Sequence, residues 1–165
     1  MRLNAYDNVI VQPSTVSSVA IQSLTGSSAV NGDSYDTSVG IESLMVHVRA
    51  EIASGSPSAA AVAWALQESS DNSTWTAAND NTGTAIGASL NVHTTAQDNY
   101  ARVEGIMLYM GNASGAQGGR KRYLRIVLTP AFTSGTSPAI LAVAEFIGTP
   151  GSGMQMPVRT AVSNT

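Results

Sequence analysis

The sequence predicts an all-β protein, an antiparallel β-sandwich or jelly roll with extended N- and C-terminal arms. Three observations predict it. Segments of strand length alternate apolar with other residues at a period of two, as a sheet with one buried face requires. Clusters of Gly, Ser, Asn and Pro divide these segments at a spacing of roughly 8 to 15 residues. No segment carries a long helical period with caps at both ends. At 165 residues the chain suits one domain, able to bury roughly two-thirds of its unfolded surface without staples. The expected organisation is an N-terminal arm over 1–14, the sandwich over 15–147 and a C-terminal tail over 148–165.

Residues Met1 to Pro13 mix Tyr6, Val9, Ile10 and Val11 with polar residues and stop at a proline, as an arm docking on its own domain or a neighbour does. Thr15 to Leu24 carries Val16, Val19 and Ile21 at imperfect strand spacing, and Thr25 to Ser38 is a turn-rich connection around Asn31-Gly32-Asp33. Gly40 to Ile52 is the cleanest half-buried strand. Leu44, Val46, Val48, Ala50 and Ile52 face one way, and Met45, His47, Arg49 and Glu51 face a side that is wet or a contact surface. Ala59 to Asn81 reads as a hairpin: Val62, Trp64 and Leu66 alternate with Ala61, Ala63 and Ala65, Ser69-Ser70-Asp71-Asn72-Ser73 turns, and Thr74-Trp75-Thr76 resumes β-favouring chemistry. A weaker strand covers Thr84 to Val92. His93 to Gly111 is ambiguous, because Thr95 and Asp98 resemble a helix start while Ile106 to Met110 favours a strand; strand is the reading adopted. Asn112 to Gly119 is a polar, glycine-rich loop. Arg122 to Thr129 is a strand with Leu124, Ile126 and Leu128 on one face, ending at Pro130, and Ala139 to Ile147 is a nearly continuous apolar strand. From Gly148 the chain has no periodicity.

Charged residues are 12% of the chain, about half the usual ~25%, and the hydrophobic fraction is 43% with a mean hydropathy of +0.05. The surface is therefore largely neutral and polar, which suits close contact with other protein because few charges need desolvating. A net charge of −3 and a single basic run, Arg120-Lys121-Arg122, argue against a nucleic-acid partner. The absence of Cys removes disulfides, thiol nucleophiles and Cys-ligated zinc. No apolar run approaches the ~20 residues of a membrane span, and the first residues lack a secretory segment, so synthesis in the cytoplasm and no membrane partner are expected.

No residue pattern points to catalysis, a metal or a cofactor. His47 and His93 have neither ligand spacing nor a poised nucleophile, and their plain reading as surface or contact residues outweighs a chemical role. Asp33 and Asp36 suit turn chemistry better than calcium binding. The glycines of Gly111 to Arg122 lack the Gly-Lys-Ser/Thr ending of a phosphate loop. Trp64 and Trp75 raise a carbohydrate-stacking surface, but Trp64, beside Val62 and Leu66, belongs in a core.

Two stretches, QESSDNSTWTA at Gln67 to Ala77 and RKRYLRIVLTPAFTSGTSPAILAVAEFIGTP at Arg120 to Pro150, resemble the small jelly-roll capsid decoration, or cement, proteins of tailed bacteriophages. That resemblance implies a non-enzymatic virion protein that binds the outer surface of an assembled capsid as an oligomer. Its partners would be the major capsid protein and itself, as a homotrimer ahead of a homodimer, with a virion location. The alternatives are a phage tail or neck component, which fits the same features, and a carbohydrate-binding β-sandwich.

Overall fold

The structure, a computed structural model, describes residues 15–37, 41–80, 82–93, 102–109 and 120–150. Among the described residues, period-two alternation with turn chemistry between segments produces ten strands: β1 (Thr15–Thr25), β2 (Val30–Asn31), β3 (Tyr35–Asp36), β4 (Ile41–Ser54), β5 (Ala59–Ser69), β6 (Thr76–Ala77), β7 (Gly87–His93), β8 (Arg102–Tyr109), β9 (Tyr123–Thr133) and β10 (Ala139–Pro150). The described residues contain no α-helix. One sheet runs β1-β10-β4-β8; the other runs β2-β9-β5-β6, with β3 also on β9 and β7 also on β5. We call them sheet A and sheet B.

The pairings are nested. β5 pairs with β7, β4 with β8, β2 and β3 with β9, and β1 with β10, all antiparallel. The chain is thus one long hairpin, bent between β5 and β7, whose successive strand pairs fall alternately in sheet B and sheet A. That winding is a jelly roll. It makes the hairpin at Ala59 to Asn81, expected from its alternation, the apex of the whole roll.

Between the sheets lie the inward rows. β4 supplies Leu44, Val46 and Val48; β10 supplies Ile140, Ala142, Ala144 and Phe146; facing them are Val62, Trp64 and Leu66 of β5 and Leu124, Ile126 and Leu128 of β9, all buried. Tyr35 packs its ring against Phe146 at 5.6 Å between centroids. Each large side chain buried here contributes about 1.5–3 kcal/mol relative to leaving it in water. The alternation read from β4, β5 and β9 assigned these rows correctly, because period two admits only two faces.

Several boundaries differ from the sequence reading. β9 does not end at Pro130 but continues to Thr133. At the Leu66–Ile126 pair both backbones point away from each other, since the Leu66 N–H bonds the Ile86 carbonyl and the Ile126 carbonyl accepts from Gly32. Four residues on, Pro130 has the same orientation opposite Val62. Its missing N–H therefore faces the flank beyond β2, which ends at Val30↔Leu128, and no ladder bond is lost. β10 runs three residues past Ile147, with Gly148, Thr149 and Pro150 paired to β4. The Thr25–Ser38 connection contains β2 and β3, held as short ribs on β9. The ambiguous stretch resolves as a strand over Arg102–Tyr109, while the helix start considered at Thr95 and Asp98, the loop at Asn112 to Gly119, the N-terminal arm and the tail beyond Pro150 lie outside the described residues.

At one end of the sandwich the β4–β5 and β9–β10 loops press together. Thr136 N donates to Gly55 O at 3.1 Å, Ser58 N donates to Thr133 O at 2.9 Å, and Ser134 Oγ donates to Ser58 Oγ at 2.9 Å. Gly55 has φ +87°, and a Cβ there would run into the Pro138 backbone; Gly26, at φ +70°, has open space around it. Gly26→Ala is expected to destabilise by roughly 1–2 kcal/mol from the left-handed backbone alone. Gly55→Ala should lose more, because Pro138 must also shift. Urea midpoints at unchanged slope measure both, and equal losses would show that the loops do not constrain each other.

Candidate functional site

The densest group of chemically capable side chains lies where the end of β5 meets the start of β9. Register sets it: Gln67 is opposite Arg125 and Ser69 opposite Tyr123 on one side of β5, while Gln67 and Glu68 pair with Ala77 and Thr76 of β6 on the other. The Arg125 guanidinium lies 4.3 Å from the centre of the Trp75 ring, and its Nε donates to Gln67 Oε1 at 2.8 Å. Arg122 forks onto Asp36, Nη2 donating at 2.8 Å and Nε at 3.1 and 3.2 Å, and sits over Tyr123 at 5.0 Å. Lys121 Nζ donates to Thr76 Oγ1 at 2.7 Å, and Arg120 lies 3.5 Å from Glu68 as an ion pair without hydrogen-bond geometry.

The four cations are not equivalent. The hydrogen bonds and charge of Asp36 push the Arg122 guanidinium above its ordinary value. Arg125 moves the other way, lowered by burial. Its described partners are a neutral amide and a π face, so its charge is not cancelled by a carboxylate. Stacking on an indole contributes roughly 0.5–1 kcal/mol at an exposed site and more when desolvated. A half-buried Arg held flat by Trp, with Tyr123 and Lys121 beside it, has the residue types that anchor protein contacts, and its remaining N–H donors suit a carbonyl or carboxylate.

The turn that presents Trp75 is built by one carboxylate. Asp71 Oδ1 accepts from Ser69 Oγ at 2.8 Å, Ser73 N at 2.9 Å and Thr74 N at 2.7 Å, and Asn72 takes a left-handed φ of 59°. Ser69 is fully buried at the strand end, its Oγ also accepting from Asp71 N at 3.3 Å. Backbone bonds from Thr74 and Ser73 and the Ser69 hydroxyl hold the Asp71 carboxyl far below its usual range. Asp80 organises the next turn similarly: the Thr82 hydroxyl, then the Thr84 and Thr82 amides, lower its pKa.

Residues singled out in the sequence are scattered. His47, on the outer face of sheet A, lies 3.3 Å from Glu145; His93 closes β7 in sheet B, its buried Nδ1 without a protein partner. Asp36 is engaged by Arg122. Among the described residues no group of three or more His, Asp or Glu side chains is placed to hold a metal ion. Trp64 is 3% exposed, in the core as expected. The basic run Arg120-Lys121-Arg122 diverges to three different partners instead of forming one patch. Arg125 and Trp75 were not paired by the sequence reading; the strand face of Arg125 and the place of Trp75 beside the hairpin bend were legible, but that β5 and β9 are neighbours was not.

These features define a jelly roll with a polar, aromatic ledge at one sheet end. No protein-family profile matches the chain, and no curated protein matches it in sequence. Among solved structures, a chain of "Structure of infectious bursal disease virus Gx strain" is similar at TM-score 0.50 and 10% identity, the match covering 86% of this chain and 33% of that one. This chain thus spans about a third of the length of the chain it matches. At that identity the likeness is one of fold.

The Asp71 turn predicts an acid-limb signature. A carboxyl whose folded pKa is depressed stabilises above its unfolded pKa, ordinarily 3.8, and that contribution is lost as pH falls through and below it. Asp71→Asn should therefore be less stable than the parent near neutral pH and lose less on acidification, with Asp80→Asn removing a second share. Denaturation midpoints taken from about pH 6 down to about pH 2 test this; parallel curves for parent and variants would refute it.

Proposed function

We propose that this chain is a structural protein of a virus particle, a decoration protein that binds the outer surface of a tailed-phage capsid as an oligomer and bridges major capsid protein subunits. The observation that carries the reading is the nested jelly-roll winding, supported by a likeness of fold that covers 86% of the chain to a chain of a virus structure and by the cement-protein resemblance at Gln67 to Ala77 and Arg120 to Pro150. The composition supports it, since a surface with 12% charged residues desolvates little charge at a protein contact. No substrate turnover is part of this reading.

Its mechanism is load sharing. A β-sandwich with interlocked inner rows is stiff, and a stiff clip between neighbouring subunits passes on the force that internal pressure exerts where a flexible one would stretch. Many copies on one shell keep each weak contact effective, because release of one leaves its neighbours bound. The Trp75–Arg125 stack is the proposed anchor to the shell. Arg120 and Arg122 are already neutralised within the chain, so apart from the Arg125 donors the contact is made mainly by neutral hydrogen bonds and apolar surface.

Purified protein bound to undecorated capsids across a salt series should show a shallow decline, and decorated capsids should burst at a higher temperature than bare ones. Trp75→Ala and Arg125→Ala should each weaken binding by about 2 kcal/mol or more, against a loss of folding stability of only roughly 0.5–1 kcal/mol from the broken stack. A steep loss of binding with modest salt, or identical bursting temperatures, would reject the cement role and favour a tail or neck component.

A further inference from the structure

The outer face of sheet A carries an aliphatic patch that an antiparallel sheet with one solvated side does not need. Along β10, Ile140, Ala142, Ala144 and Phe146 are buried inward, yet the outward row is Leu141, Val143, Glu145 and Ile147. Met45 of β4 stands opposite Ile147. In β1, Ile21 is 68% exposed and sits in the irregular stretch between the partners of Ala144 and Ala142, hence beside Val143. The outer face of sheet B is unlike this over β5 and β7, where Ala61, Ala63, Ala65, Ser89 and Asn91 keep it small or polar, and the outward Val127 of β9 is itself buried.

We infer that the outer face of sheet A, centred on Leu141, Val143 and Ile21, is the surface through which this chain associates with a second copy of itself. The inference deepens the oligomeric shell reading above and rests on it for its biological setting. Charge points to a like partner. Within a chain of net charge −3 this face still carries both signs: Arg49 and Glu51 project from β4, and Glu145 of β10 lies 3.3 Å from the His47 ring. A second copy therefore brings both signs to meet both signs, as a self-complementary contact requires. Shape agrees, because a flat sheet face packs best on another, at a layer spacing of ~10 Å, which is how this chain already builds its own core. Extent agrees too. The 12 residues of β10 span about 40 Å and four strands about 19 Å, an outline near the ~800 Å² per partner of a specific interface.

Sedimentation equilibrium of the purified full chain, with no capsid present, is the test. The parent should associate reversibly. Val143→Lys should raise the self-dissociation constant by at least about tenfold, because it places an unpaired charge in the contact. Ile21→Lys, at a position too exposed to disturb the core, should weaken association in the same direction, and Ala63→Lys on the outer face of sheet B should leave it unchanged. Circular dichroism and thermal melts confirm that each variant is folded. A parent that stays monomeric, its sheet A face then being covered by the chain's own remaining residues or by nothing, overturns the assignment. So does an oligomer that both Lys variants leave intact. Capsid binding is read separately on the same proteins: a monomer that still binds shells overturns this face alone, whereas an oligomer broken by Val143→Lys whose parent binds no shell keeps the face and rejects the shell reading.

Discussion

The pairing of β5 with β9 is the constraint on which the rest of the structure depends. All 11 residues of β5 pair with β9 without a register shift, whereas β1 meets β10 with two. One residue of slip would turn Val62, Trp64 and Leu66 outward and bring Ala61, Ala63 and Ala65 into the core, so the bulky row fixes the register. The same register carries Gln67 to Arg125 and Ser69 to Tyr123. Core packing and the Trp75–Arg125 ledge are consequences of a single alignment.

The scarce charges are placed unevenly. Four of the chain's eight Lys and Arg residues surround one end of sheet B, three of them bonded to Asp36, Glu68 or Thr76. Arg125 is the exception, held by an amide and an indole. Arrangements of that kind carry a desolvation penalty in the isolated chain that a partner's carbonyl or carboxylate offsets. On sheet A the outward aliphatic side chains of β10 and β1 stand beside a few charges of both signs, Arg49, Glu51 and Glu145. The two proposed contacts therefore differ in kind: a polar, aromatic anchor towards another protein and a flat, apolar face towards a like copy.

Rigidity follows from the winding. Because every strand pair after the apex is separated further in sequence than the last, each sheet is knitted from both halves of the chain, and neither half can open alone. The two loops that meet at Gly55 and Gly135, with Ser56, Ser134 and Ser137 also at positive φ, close one end of the sandwich by direct backbone bonding. A body so tied transmits force across its width, which is what the proposed bridging role asks of it.

Much of this was legible in the residues. Alternation in Gly40–Ile52, Ala61–Glu68 and Arg122–Thr129 assigned strands and their buried rows, because period two leaves no third face; Asp71 and the serines around it marked the hairpin because short polar side chains bond their own backbone. The sequence alone also indicated a chain poor in charge, without thiols, suited to contact more than to chemistry. What it left open was non-local. Pro130 stopped the strand on local grounds, and only the orientation of its backbone relative to β2 and β5 made it harmless. The same holds for Trp75 and Arg125, fifty residues apart, and for the apolar row of β10, whose nearly continuous hydrophobicity named a strand without saying which side was core. Those were decided by which strands became neighbours, a choice made by burying all the inner rows at once and written in no single segment.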